Sequence, residues 1–197
     1  MEFKDTTLRS LLPKNPICME IGVGPLDQCR LRTFIEEGIE CHLVEALWKY
    51  GRVLYSQYQH LKNVHLYPFA ACDQRGPLTL FDRGEGSWLV DLPASPDTMN
   101  NAVEIDPEYC NTVPGITIDM IDTGELDLLL VDIEGAEWWV LKHLVSHPKV
   151  IVLETHLTGG SYINPYMIEI ERWMEENGYV LQDKNISDSL YILGCGL

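Results

Sequence analysis

Short, almost unbroken apolar runs alternate along the chain with longer stretches whose apolar residues recur at helical spacing. The runs are ICMEIG at 17–22, CHLVE at 41–45, LDLLLVD at 126–132 and KVIVLE at 149–154. Two further runs, VHLYPFAA at 64–71 and LTLFD at 78–82, also read as strands. Runs that lack polar alternation suit parallel strands covered on both faces. Between them, residues 26–38, 47–61, 135–146 and 165–177 read as helices. Phe34 and Ile35 follow Leu31 at helical spacing, and Val140, Leu141, Leu144 and Val145 share one face. Pro165 stands near the start of the last helix and Gly178 just past its end, where those residues are favoured. Strand and helix in alternation predict an open, doubly wound α/β sheet.

Two stretches depart from this rhythm. YVLQD at 179–183 and SLYIL at 189–193, separated by KNISD, read as a β-hairpin. Residues 83–117 hold Gly84, Gly86, Pro93, Pro96, Pro107, Pro114 and Gly115 with no sustained period. A connection that long without structure of its own is usually functional, so it reads as a lid or substrate-recognition segment, with Trp88 as its apolar anchor.

Length changes the picture little. The 197 residues fit one domain of the usual ~100–200, and such a domain needs no metal or disulfide scaffold. The composition is globular and excludes disorder, collagen and coiled coil. No run of 18 apolar residues is present, so no membrane span is expected. The opening MEFKDTTLRSLLPKN carries charges where a secretory signal needs an apolar core, so a cytoplasmic location is expected. Charge is more informative. The formal net charge of −16 repels nucleic acid and anionic membrane surfaces, and no basic patch offsets it. Neither is expected as a partner, and the remaining expectation is a small-molecule substrate. The six cysteines form no CxxC pair and lack zinc spacing, so reduced thiols and no resident metal are expected.

Candidate chemistry collects at the ends of the apolar runs, where open α/β sheets bind ligands. Glu20-Ile21-Gly22-Val23-Gly24-Pro25 is a strand running into a glycine turn. A dinucleotide site wants a third glycine, and Asp27 occupies that position. Pyrophosphate also wants no fixed anion nearby, whereas the ammonium and sulfonium of S-adenosylmethionine gain from acids such as Glu20. Glu45 lies 23 residues beyond Gly22, the approximate spacing at which an acid accepts hydrogen bonds from a ribose diol. Asp73, after Ala70-Ala71-Cys72, is placed to accept from the adenine amino group. Val131-Asp132-Ile133-Glu134-Gly135-Ala136-Glu137 follows the most apolar run, and Glu154-Thr155-His156 ends the next. If those strands are neighbours, about 4.8 Å apart, Asp132, Glu134, Glu154 and His156 converge on one crevice. His156, with an unperturbed pKa of ~6.5, is the candidate general base. Asp132 or Glu154 would orient it, and Glu134 would face the substrate. Mg²⁺ or Mn²⁺ is an alternative use of the same oxygen ligands.

VDIEGAEWWVLKHL resembles the signature of the FkbM-type methyltransferases, roughly K-I-D-x-E-G-A-E-x-x-V-L. TID at 117–119, IVLETH at 151–156 and ACDQRGPLTLF at 71–81 are similar as well. The likeness runs over about residues 17–160. It departs at the first motif, usually Asp-x-Gly-Ala-Asn-x-Gly, and at the lysine that usually precedes Asp-x-Glu. The resemblance implies a class I fold, Rossmann-like, with sheet order 3-2-1-4-5-7-6, its last strand antiparallel and helices on both faces. It also implies one methyltransferase domain over 1–197, S-adenosyl-L-methionine as donor, and methylation of a hydroxyl on a sugar or small natural product. Two alternatives stand beside this reading. One is a nucleoside-cofactor-binding module without catalysis, and the other is an NAD-dependent oxidoreductase.

Overall fold

In a strand buried on both faces, successive side chains enter different layers. Leu128 and Leu130 join one core cluster, and Leu129 and Val131 join the other. The same division holds for Val150 and Val152 against Ile151 and Leu153. This is the physical reason the apolar runs show no alternation. The computed structural model describes residues 5–93, 95, 96, 98, 103–155 and 162–194.

The strands are β1 (Ile17–Ile21), β2 (Glu40–Val44), β3 (Val64–Tyr67), β4 (Ala70–Ala71), β5 (Gly76–Phe81) and β6 (Trp88–Leu89). They continue with β7 (Cys110–Ile116), β8 (Leu128–Val131), β9 (Val150–Glu154), β10 (Tyr179–Lys184) and β11 (Asp188–Leu193). The main sheet has the order β10-β11-β9-β8-β1-β2-β3. Its pairs are parallel except that β11 runs antiparallel to both β9 and β10. With strands numbered along this sheet alone, that is the order 3-2-1-4-5-7-6 implied by the resemblance. The helices Asp5–Leu11, Arg32–Glu36 and Trp48–Tyr58 supply Leu8, Phe34, Ile35 and Leu54 to the core on one face. Glu137–Leu141 and Met167–Glu176 supply Val140, Leu141, Met167, Ile170 and Met174 to the other.

Three expectations are corrected. The helix expected over 26–38 is a 3-10 turn, Leu26–Gln28, followed by the short helix Arg32–Glu36. The interruption has a cause: the buried Glu20 carboxylate accepts the backbone N–H groups of Arg30 and Leu31 and draws that loop inward. The strand expected over 64–71 stops at Tyr67. Pro68 has no N–H for the ladder, and Ala70–Ala71 pairs in a second sheet. That second sheet, β4-β7-β5-β6, also claims much of the 83–117 segment. Trp88 pairs opposite Phe81, and β7 runs antiparallel along all of β5. Leu78, Leu80, Phe81, Trp88, Leu89 and Val113 pack around this sheet as one buried cluster. The period was hidden because these strands are short and carry prolines at 77 and 114.

Candidate active site

A cavity of about 280 Å³ opens between the carboxyl edge of the main sheet and the small sheet. Its floor is the glycine turn after β1, and its sides are the ends of β2, β8 and β9. Gly84, Glu85, Ser87, Trp88 and Leu89 close it from the small-sheet side.

The turn is set by backbone geometry. Gly22 has φ +83°, and a Cβ there would stand 1.7 Å from the carbonyl oxygen of Asp132. Gly22 is therefore required by the close approach of β1 to the residue after β8. Gly24 has φ +66° and meets no backbone atom within 4 Å. Its N–H donates to Glu45 Oε2 at 2.7 Å, and Leu47 N–H donates to Glu45 Oε1 at 2.7 Å. Glu45 thus ties the glycine turn to the start of the next helix while lining the cavity. Burial pushes its carboxyl up, against the two N–H bonds.

Glu20 also lines the cavity, with both oxygens engaged by Arg30 N–H, Leu31 N–H and the Cys29 thiol. Burial raises it to about 7. Arg30 enters the same cavity, its side chain about one-tenth exposed. Nη1 stands 3.7 Å from Asp188 Oδ1, and Nη2 is buried with no hydrogen-bond partner among the described residues. Sequence reading missed Arg30. Its position follows from the inward loop around Glu20, which no periodicity reports.

Parallel pairing of β8 with β9, Val131 opposite Leu153, brings Asp132, Glu134 and Glu154 together. One oxygen from each lies within 4.8 Å of the others, so the three could hold a cation. The carboxyls of Asp132 and Glu154 stand close enough that a proton on one of them relieves their repulsion. Burial pushes Asp132 well above the carboxylate range, with the Glu154 charge adding to it, and burial raises Glu154 to about 8. Glu134 sits at φ 57°, a left-handed conformation that costs a non-glycine residue about 1–2 kcal/mol. Glu137, the last acid of the motif, has a different task. It is fully buried, and its Oε1 accepts Ile133 and Gly135 N–H while Oε2 accepts Asn164 Nδ2 at 2.6 Å. It fixes the turn that aims Asp132 and Glu134, and burial raises it to about 7.

Asp73 is a correction. It lies on the surface paired with Lys142 and His143 Nε2, outside the cavity lining. The cause is the break at Pro68, which carries the following residues into the second sheet. Trp88 lines the cavity yet is 2% exposed and packs edge-on against Phe81 at 4.9 Å, so it belongs to a sheet and not to a loose segment. His156 lies outside the described residues.

The arrangement can cradle a nucleoside. Glu45 offers acceptors at the end of β2. Phe69, Ala70, Ala71, Leu80 and Leu89 give apolar surface beside it, and Arg30 Nη2 is an unused donor toward the acidic end.

The family model described as Methyltransferase FkbM domain matches residues 18–181. No curated protein matches the chain. Among solved structures, a SAM-dependent methyltransferase from Aquifex aeolicus is 10% identical with a TM-score of 0.46, over 96% of this chain and 89% of that one. Magnesium protoporphyrin IX methyltransferase from Synechocystis PCC 6803, with bound SAM, is 8% identical with a TM-score of 0.48, over 96% and 77%. Precorrin-6y C5,15-methyltransferase from Geobacter metallireducens GS-15 is 15% identical with a TM-score of 0.45, over 95% and 83%.

Proposed function

This chain belongs to the FkbM methyltransferase family, with S-adenosylmethionine as its methyl donor, and we propose that it methylates a hydroxyl oxygen of a neutral sugar or small polyol. The observation that carries the proposal is the carboxyl cluster Asp132, Glu134 and Glu154 at one end of a cavity whose other end presents Glu45. Carboxyls exchange hydrogen bonds with hydroxyls whether protonated or ionised, and any of the three that is ionised would repel an anionic acceptor. The chain acts in this reading as one methyltransferase domain, with the first part of 83–117 roofing the acceptor side.

The bound donor supplies a methyl carbon already activated by its sulfonium. Glu45 accepts from the ribose hydroxyls through lone pairs left after its two N–H bonds. Arg30 Nη2 donates to the amino-acid carboxylate, and the acids Glu20 and Asp132 favour the ammonium. The protein must hold the acceptor oxygen within roughly 3–3.5 Å of the methyl carbon and take its proton. Asp132 and Glu154 hold and orient the acceptor, Glu134 and Trp88 bound its site, and His156, two residues past Glu154, is the base.

Thermal denaturation with S-adenosylhomocysteine, S-adenosylmethionine, NAD and no ligand tests the donor. A ligand at 100 times its dissociation constant stabilises by about 2.7 kcal/mol, so the homocysteine product is expected to raise Tm and NAD is not. Label transfer from methyl-labelled donor to a panel of neutral sugars and polyols tests the acceptor class. Transfer to anionic sugars with none to neutral ones would contradict it.

A further inference from the structure

Away from the cavity, the outer edge of the main sheet carries a second cluster. Glu40 and His42 are two apart on β2 and so share a face, and His65 on the edge strand β3 stands directly opposite His42. None of the three lines the cavity. We infer that Glu40, His42 and His65 form a binding site for one divalent transition-metal ion of the Zn²⁺ class, which clips the edge strand β3 to β2.

The geometry carries it. Glu40 Oε1 is 3.6 Å from His42 Nε2 and 3.5 Å from His65 Nε2. A tetrahedral ion with bonds of about 2.0–2.1 Å holds its ligand atoms about 3.3–3.4 Å apart, so a small settling of these side chains accommodates it. One ligand atom from each residue lies within 4.8 Å of the other two. The two imidazoles are stacked, with centroids 4.7 Å apart and planes at 27°, and both turn Nε2 toward the same carboxylate oxygen.

The surroundings prepare the ligands. His42 Nδ1 lies 3.1 Å from the Tyr67 hydroxyl. A proton on Nδ1 donated to that oxygen leaves the Nε2 lone pair facing the site, the arrangement in which metal-bound histidines are oriented by an outer partner. Two nitrogens and one oxygen select zinc, nickel or copper over magnesium and calcium, which prefer all-oxygen sets. His65 and Glu40 are nearly half exposed, leaving the fourth position to water. The strand so anchored, β2, ends at the turn where Glu45 faces the cavity.

Zinc titration of the full chain after treatment with EDTA tests this, read by calorimetry and by Tm. Cobalt absorption reports whether the ligands are nitrogen and oxygen. The wild-type chain is expected to bind one Zn²⁺ and to gain in Tm. His65→Gln and Glu40→Gln, at half-exposed positions, are each expected to weaken zinc by at least about tenfold, while affinity for S-adenosylhomocysteine is unchanged. Glu134→Gln, in the separate acidic cluster, is expected to leave zinc affinity as it was. Absence of zinc binding, equal affinity in His65→Gln, or loss in Glu134→Gln alone would overturn the inference.

Discussion

At the scale of single residues, the cavity divides its charged groups between holding the backbone and meeting a ligand. Glu20 and Glu137 spend their oxygens on neighbouring N–H groups and an amide, whereas Arg30 keeps a buried donor unused. Arg30→Met is therefore expected to weaken S-adenosylhomocysteine by about 10–150-fold, the value of a charged hydrogen bond of about 1.5–3 kcal/mol. The same variant should bind 5′-methylthioadenosine, which lacks the carboxylate, as the wild type does. Equal losses for both ligands would show that Arg30 acts on the cavity shape instead. His156→Ala is expected to keep donor affinity and to lower turnover by about 10²–10⁴-fold, with loss of the acid limb of the pH–rate profile. Gly22→Ala brings a methyl group against the Asp132 carbonyl, and soluble folded protein is not expected from it. Motif spacing made Glu45, Asp132, Glu134 and Glu154 legible because strand ends in a parallel sheet share one edge. Arg30 was not legible, since its place depends on a loop folded around Glu20. Asp73 misled because a proline three residues before Ala71 changes which sheet the chain enters.

At the scale of elements, the main sheet could be read almost completely, because burial on both faces leaves uninterrupted apolar runs. The hairpin β10–β11 was legible from its five-residue gap, and its insertion beside β9 followed the resemblance. The second sheet was not legible: β4 and β6 are two residues each, too short for any period to register. That sheet bears directly on ligand access. Trp88 fills its core against Phe81, so Trp88→Ala is expected to cost about 3–5 kcal/mol in stability, measured by denaturant unfolding. The 3-10 turn Gly84–Gly86 has no such packing and stands at the cavity mouth. Hydrogen exchange is expected to slow at 84–87 when S-adenosylhomocysteine binds, with Phe81, Trp88 and Leu89 slow in both states. Exchange unchanged throughout 84–87 would mean that the turn takes no part in closing the site.

At the scale of the whole molecule, the carboxyls gathered under one edge of the sheet tie stability to pH. Glu20 and Glu137 titrate at about 7 and Glu154 at about 8, against 4.5 when exposed. Between those values the folded chain binds more protons than the unfolded chain. Their contribution is therefore complete below about pH 4.5 and is lost as pH rises through 7 to 8. Tm is expected to fall from about pH 5 to pH 8 in the absence of ligand, and Glu154→Gln is expected to flatten that slope. The donor cavity remains the central claim, and Glu45 is where it is most exposed to test. Calorimetric titration of S-adenosylhomocysteine into wild type and Glu45→Ala, with folding checked by circular dichroism, measures it directly. The account predicts a loss of about 1.5–3 kcal/mol in binding in the variant. Unchanged affinity in a folded Glu45→Ala protein would contradict it.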